Sequence, residues 1–536
     1  IVFGDWSSDV CSSDLEATAW RLFMKKLSHL TRTSLLLFFM FGLDKILAFG
    51  RLFIVSRTFS LPLQDAFNSA NNLPDLLFAL ISGGAFSMAF IPLLRQSITL
   101  RGREDAWDLF SRVANLMFVA TGVVAFFVAM FAEQIVSAEM GIVPGFGPEQ
   151  QELVADLMRL NLVSLMIFSI SGLVMGGLQA NQHFLLPALA PFFYNVGQIV
   201  GAIFFAPVEP ITMGGVTLPT LGLGIHGLVY GAILGAALHL LIQVPGLIKY
   251  KFRWTASLDV RNSGLIEALK LMAPRLLTML GIQVMFLARD NLASRLDQEG
   301  AVSALTYGWM IMQVPETLLG TAIATALLPS LAEFAGKGEW KTFSETLEKA
   351  MRVLLALTIP VAAVVIAGIK PLVAVAFGFD EAGTNLLALT SRVYMLTLAG
   401  YAMQETMSRA FYARKEPLMP LFGVMLRLVI YLAIGITGVT LLREIGPYII
   451  AAAELSLAAE AIFMLTMLNR RLERPVRVLT AVGKGVVAAL LGGITAYGLA
   501  VYLPGGAVPT ALAGMFVGGI LALALVWSEF RLLFRL

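Results

Sequence analysis

Apolar runs of about twenty residues, the length a helix needs to cross some 30 Å of hydrocarbon, recur along this chain with short polar turns between them. Fourteen fall near 33–55, 72–94, 109–132, 153–177, 184–206, 221–248, 265–288, 303–330, 350–369, 385–411, 418–442, 447–468, 480–503 and 509–533. They predict an all-α integral membrane protein with about fourteen transmembrane helices. Gly83, Gly84, Pro191 and Pro329 interrupt the runs. In a bundle neighbouring helices can satisfy the backbone groups such residues free, so several helices are expected to bend.

Two runs resemble each other. Residues 74–96 read "PDLLFALISGGAFSMAFIPLLRQ" and residues 315–333 read "PETLLGTAIATALLPSLAE". Aligned on Pro92 and Pro329, they also match at Ala85 with Ala322, Ala89 with Ala326 and Leu94 with Leu331. The proline spacing differs by about one helical turn. A second echo joins "QANQHFLLPALAP" to "FYARKEPLMPLFG", each a polar turn leading into a proline-marked helix. Chance likeness between small-residue helices is the alternative to a duplication. The duplication divides the chain into a first lobe over 24–263, a second lobe over 264–478 and two further helices over 479–536. Parallel repeats of this kind place a binding site where the halves face each other. Ser82, Gly83, Gly84, Ala85 and Ser87 suit close packing and would also let a helix bend or slide. As paired gates, the two helices would converge inside near Pro92 and Pro329 and outside near Pro74 and Pro315.

Composition agrees with a membrane protein: 58% of the 536 residues are hydrophobic and only 14% charged. The net charge of +3 matters through its placement. Every second loop is basic, with Arg101 and Arg103, Lys249 and Lys251, Lys337 and Lys341, Arg414 and Lys415, and Arg470, Arg471, Arg474 and Arg477. The positive-inside bias then puts both termini in the cytoplasm and requires an even number of crossings. All loops are short, so function must sit among the helices. Cys11 alone, with His29, His183, His226 and His239 lacking ligand spacing, argues against disulfide, metal or cofactor chemistry. Residues 1–23 are polar and carry the near-duplication "SSDVCSSDL". They are expected to be a non-native or disordered extension before a start at Met24.

Ionisable residues inside membrane helices cost a few kcal/mol and usually face a bundle interior or a wet cavity. The first helix has three, in "GLDKILAFGR": Asp44, Lys45 and Arg51. Asp44 and Arg51 are seven apart and share a face, with Lys45 about 100° around. They would form either an internal ion pair with Lys45 snorkelling, or the wall of a wet cationic cavity. Arg57 and Asp65 flank the next loop. The second half has Arg275, Arg289, Asp290, Arg392, Glu405, Arg409, Arg427, Glu454 and Glu460. Glu405 and Arg409 can pair along one helix, and Arg427 can pair across to Glu454 or Glu460 or line a polar groove.

"QDAFNSANNLPDLLFALISGGAFSMAFIPLL", "GGLQANQHFLLPALAPFFYNVGQI" and "ATALLPSLAEF" together resemble the lipid II flippase family (MurJ/MviN) of the multidrug/oligosaccharidyl-lipid/polysaccharide exporter superfamily. The resemblance runs from about residue 30 to the end. It implies two six-helix lobes around a cationic cavity, alternating access, and outward movement of an undecaprenyl-pyrophosphate-linked peptidoglycan precursor in the bacterial cytoplasmic membrane. It implies too that the last two helices form a groove for the lipid tail. Lys45 and Arg51 match basic positions of the family's first helix and Asp65 its acid, so these three are the implied substrate-binding residues. Arg289 and Asp290 fall where the family often carries an acid linked to ion coupling, and with Asp44 and Arg427 they are the candidates for coupling or gating. Phe78, Ala79 and Met310 stand where the family usually has basic residues, and Gly83 where it has an acid. Coupling to sodium or to the membrane potential fits such a transporter.

A pyrophosphate head group suits Lys45 and Arg51, because Arg forks onto phosphate oxygens and Lys adds a flexible point charge. An exporter of another polyprenyl-linked polysaccharide would fit the same residues. A membrane-embedded glycosyltransferase would need metal-binding acids and a base near a loop, and the short loops show no such arrangement. A net cationic cavity speaks against an exporter of cationic drugs. Nothing in the pattern points to nucleic acid.

Overall fold

The computed structural model describes residues 29–81, 94, 97–181, 183–210, 212–213, 216–258 and 263–532. The expectations about residues 1–23, Cys11, Met24 and the stretch from Ser82 to Pro92 with Ala89 fall outside the described residues, as do the side chains of Arg275 and Ala326.

The long helices follow the apolar runs. In order they are α1 (His29–Thr58), α2 (Leu61–Ile81), α3 (Arg103–Met130), α4 (Pro148–Ala180), α5 (Leu185–Val200), α6 (His226–Leu241), α7 (Ser263–Ser294) and α8 (Ala301–Glu316, continued through Ala322–Lys337). Then come α9 (Trp340–Phe377), α10 (Glu381–Met395 and Leu398–Ala413), α11 (Leu418–Leu441), α12 (Gly446–Ala453 and Ser456–Asn469), α13 (Leu479–Tyr502) and α14 (Ala507–Leu525). Among the described residues eleven of these are long and apolar enough to cross a membrane, and the bent α10 makes twelve. That is short of the expected fourteen. The remaining two are α1, which carries Asp44, Lys45 and Arg51, and α2, which leaves the described residues after Ile81. A two-residue antiparallel ladder, Thr212–Met213 with Val216–Thr217, lies between α5 and α6.

Bends fall where backbone bonding is loosened. α10 turns by 44° at its break, and the halves of α8 are joined by a wide turn at Thr317–Thr321 two residues after Pro315. Pro191 lies inside α5, Pro329 inside the continuation of α8, and Pro360 and Pro371 inside α9.

Helix α2 departs from expectation. It begins at Leu61 instead of near 72, and only Phe59 and Ser60 separate it from α1. Asp65 therefore sits inside the helix and not in a flanking loop. The cause is its setting: the polar residues of "LPLQDAFNSANN" face other helices, so their low apolarity does not disqualify them from a helix.

α1 packs along α5, α2 along α4, and α4 along both α3 and α6. In the second half α7 packs on α11, α8 on α10, and α11 on α12. The two groups meet where α2 runs against α7 and α8. α13 and α14 pack on each other and on α9. Their seam is closed by Gly492, Gly514 and Gly518, where an added methyl group would lie within 2.7 Å of facing backbone. A charge clamp secures one end of this trio: Arg352 of α9 grips both oxygens of Glu529 at 3.0 Å, and Lys484 of α13 approaches at 2.7 Å. Burial opposes ionisation of Glu529, yet Arg352 and Lys484 hold its carboxyl below the usual range.

Candidate functional site

The wall of the site is built by how tightly α5 meets α6. Gly197 and Gly201 face Gly231 and Gly235 so closely that a Cβ on Gly197 would lie 2.3 Å from the Gly235 backbone. With one face sealed in this way, Asn195 and Gln198, one turn apart, reach α1. Asn195 donates to Asp44 Oδ1 at 2.7 Å. Arg51 donates to Gln198 Oε1, and Gln198 in turn donates to the Tyr194 hydroxyl at 3.0 Å. Asp44 and Arg51 share a face of α1, as their spacing required, but among the described residues no ion pair links them. Each is held by a neutral amide of α5.

Arg51 lines a crevice of about 40 Å³ with Leu52 and Val55 of α1, Asn68 of α2, Gln198 of α5, and Tyr307 and Met310 of α8. One to two turns away, Lys45 is exposed and lines a second crevice of about 30 Å³ with Phe49 of α1 and Met310, Gln313 and Val314 of α8. Met310 belongs to both, so together they form one narrow seam between the halves of the protein. These two crevices have room for waters but not for a sugar-bearing head group.

Asp65 lies elsewhere. It is buried, and its carboxylate accepts the backbone N–H of Gly300 at 2.9 Å and of Ser303 at 2.7 Å. Gly300, with φ of +81°, precedes the first residue of α8 and has no side chain with which to cap it. Asp65 supplies the missing cap from the other half of the chain, and its charge suits the positive end of the helix. Around it Tyr307 donates to Gln64 at 2.8 Å and Asn68 donates to Ser303 at 3.0 Å. Further along, Asn72 donates to Asp290 Oδ2, whose Oδ1 accepts from Arg289 at 2.8 Å, and Arg289 also donates to Thr306 at 2.8 Å. Gln64, Asp65, Asn68 and Asn72 share one face of α2. They latch the two halves together at one end.

The loop after α3 adds to the latch. Asn291 donates to the carbonyls of Glu139 and Gly141 at 3.0 and 2.6 Å, Arg295 pairs with Glu139 at 3.0 Å, and Ser294 accepts the Gly145 N–H at 3.2 Å.

Arg427 lies deep in the second half, apart from the seam. It donates to Glu454 and, at 2.9 Å, to the Tyr401 hydroxyl, and it lies 3.7 Å from Glu460. Both carboxylates named as its candidate partners are present. Glu405 and Arg409 pair at 2.5 Å along α10.

Of the implied substrate residues, then, Lys45 and Arg51 come together in the seam and Asp65 is engaged in the latch. Of the coupling candidates, Asp44 lines the α1–α5 contact, Arg289 and Asp290 join the latch, and Arg427 is separate. Tyr194, Asn195, Gln198 and Asn68 were not singled out from the sequence. The signal was present as polar residues at helical spacing on an apolar helix, in "YNVGQ" and in "QDAFNSANN". Phe78 packs against Phe168 at 5.1 Å, and Phe168 against Tyr194 at 5.1 Å, so an aromatic chain backs the α5 wall.

Comparison with known proteins bears on what such a seam does. The chain is 28% identical over 422 residues to the lipid II flippase MurJ of Burkholderia cenocepacia, covering 75% of this chain and 79% of that protein. It is 26% identical over 385 residues to the probable lipid II flippase MurJ of Buchnera aphidicola, with 71% and 72% covered. In three dimensions it matches a lipid II flippase MurJ in an inward closed conformation with a TM-score of 0.76 at 20% identity, over 94% of this chain and all of that one. An inward-facing multidrug resistance MATE family transporter of the MOP superfamily matches with a TM-score of 0.64 at 15% identity, over 80% and 95%. The profile of the family described as lipid II flippase MurJ matches residues 55–517, and the chain therefore belongs to the lipid II flippase MurJ family.

Proposed function

We propose that this transporter moves lipid II from the cytoplasmic to the outer leaflet of the bacterial inner membrane by alternating access, in cell wall biosynthesis. The observation that carries the reading is the state of Lys45 and Arg51. Both lie on the seam between the halves, and among the described residues neither is ion-paired with a carboxylate. Their nearest carboxylates, Asp44 and Asp75, act on them only at longer range, so a pyrophosphate can take the close contacts, with Arg51 forking onto its oxygens and Lys45 adding a point charge. The latch around Asp65 and Asp290 supports closure at one end while the head group is taken up at the other. Carrying a charged head group across can draw on sodium or on the membrane potential, which is worth about 2.3 kcal/mol per charge per 100 mV.

Complementation tests the reading. In a strain depleted of its own lipid II flippase this chain restores growth, and the Lys45→Ala, Arg51→Ala double variant does not. Failure of the wild-type chain to restore growth while it accumulates in the membrane overturns the assignment of substrate.

One observation favours a second reading. Met310 places apolar surface in the seam where the family usually carries a basic residue, leaving a less cationic seam suited to another polyprenyl-linked glycan. Binding of purified lipid II, against a polyprenyl-pyrophosphate with a different glycan, separates the two.

A further inference from the structure

Around Arg427, among the described residues, buried carboxylates outnumber cations by one. Arg427 is the cation between two carboxylates, Glu454 and Glu460, and all three are buried. Glu454 is well served, because it accepts from Arg427 and lies 3.4 Å from the Tyr401 hydroxyl. Glu460 is fully buried, among the described residues neither of its oxygens has a donor in good hydrogen-bond geometry, the Gln404 amide is its one nearby neutral donor, and the nearer guanidinium nitrogen is 3.7 Å away.

Among the described residues, every element packed against α12 leaves that excess in place. α11 contributes Arg427, with Gly423 pressed against the Glu460 side chain, and the unpartnered hydroxyl of Tyr431. α10 contributes Gln404, whose amide faces Glu460, together with Tyr401 and the unpartnered hydroxyl of Tyr394. The Glu405–Arg409 pair on the same helix is already neutral. α7 brings Arg289 and Asp290, which neutralise each other, and α8 brings Trp309, which donates to Tyr401 at 3.3 Å. α12 itself is broken between Ala453 and Ser456, so Glu454 sits in the break, and the Ser456 hydroxyl is buried without a partner. Broken helices of this kind are where transporters place coupling ions.

We propose that Glu460 is a proton-binding site whose carboxylate takes up one proton to become a neutral carboxylic acid and releases it during the transport cycle. An ionised carboxylate without a donor in a low-dielectric interior is far more costly than a neutral acid. One proton removes the excess charge and nothing else in the cluster has to change. Loss of the proton makes Arg427 divide its charge between two carboxylates, which draws α11 toward the lower part of α12. The polar chain from Arg427 through Tyr401 to Trp309 ends beside Met310 in the seam. Occupancy of the seam and occupancy of Glu460 are thus linked through α8.

Infrared spectroscopy of the purified, reconstituted protein reads the site directly. Wild type at neutral pH is expected to show a carboxylic-acid C=O band that shifts in heavy water and titrates away at high pH. Glu460→Gln removes it. Glu454→Gln removes it as well, because Arg427 is then left to neutralise Glu460 alone. Glu405→Gln, on the surface-reaching pair, leaves it unchanged. Should Glu460→Gln not accumulate, the wild-type titration and the other two variants carry the test. A wild-type protein without such a band, a band that persists in Glu460→Gln or Glu454→Gln, or a band abolished by sodium at constant pH overturns the proposal, the last by assigning the site to a metal cation. These readings are made without substrate, so they stand apart from the flippase reading. The coupling rests on that reading, and there lipid II is expected to move the titration midpoint by about one pH unit, a tenfold change in proton affinity. An unmoved midpoint with lipid II bound removes the link between site and seam.

Discussion

The α2–α8 latch and the α1–α5 wall are built from the same kinds of residue, carboxylates and amides on apolar helices, yet they treat charge in opposite ways. In the latch each charge is answered: Asp65 by two backbone N–H groups, and Asp290 by Arg289 and Asn72. Asp65 and Asp290 are 4% and 0% exposed. On the wall, among the described residues, Arg51 makes no ion pair and donates to the neutral amide of Gln198, with Asp44 and Asp75 acting on it at longer range, and Lys45 is exposed to the seam. Answered charge marks where the protein binds itself. Unanswered charge marks where it is expected to bind something else.

Stability measurements sharpen that contrast most strongly at Asp290. Removing one member of a buried pair strands the other, which costs about 3–5 kcal/mol. Asp290→Ala is therefore expected to lower the melting temperature in detergent more than any substitution on the α1 wall. Asp290→Asn keeps one acceptor oxygen for either Asn72 or Arg289, loses the charge, and should fall between that variant and wild type. If Arg51→Ala proves more destabilising than Asp290→Ala, the division between binding and holding is wrong.

Asp65 comes next. Asp65→Ala leaves two buried N–H groups at the start of α8 without an acceptor, a loss of about 1–3 kcal/mol for an unsatisfied buried group. Because the two groups belong to the other half of the chain, the loss is also expected to open the latch. Single cysteines at Ser303 and Asn68, in a background without Cys11, should then react faster with a water-soluble thiol reagent than they do with Asp65 present. Unchanged labelling together with an unchanged melting temperature would show that Asp65 does not hold the halves together.

Much of this was legible before any coordinates. Apolar runs gave the order of the helices, since the bilayer demands twenty apolar residues whatever the fold. The acid-first spacing of Glu405 and Arg409 was enough to name that pair, and the depth of Arg427 offered Glu454 or Glu460 as partners, with a polar groove as the alternative. Asp65 was not legible in the same way. Its partners are backbone N–H groups of Gly300 and Ser303, more than two hundred positions away, and a backbone group leaves no mark in a sequence. The early start of α2 was hidden for a related reason. A helix that faces protein on its polar side does not need the lipid-facing composition by which segments are recognised. Asn195 and Gln198 were visible as a polar stripe, but only the glycine contact of α5 with α6 says which way the stripe points.

The smallest effect on stability, and the finest probe of the seam, is expected from Met310→Arg. Met310 lines both crevices between Lys45 and Arg51 and is only partly buried, so a long flexible side chain can replace it with little packing loss. The introduced guanidinium meets two other cations in the free protein. That repulsion is softened by the wet seam, where unit charges 4 Å apart interact by about 1–4 kcal/mol and not by the larger values of a dry interior. A bound pyrophosphate would turn the repulsion into attraction. Lipid II is therefore expected to bind about tenfold more tightly, a change of ~1.4 kcal/mol, and the gain should shrink as salt is raised because the seam admits ions. The melting temperature should move less than it does for Asp65→Ala. If affinity is unchanged at low salt while Arg51→Ala still weakens binding, the phosphate lies on the Arg51 side of the seam and Met310 does not face it. If neither substitution changes affinity, the unanswered charges of the α1 wall are not where the head group sits.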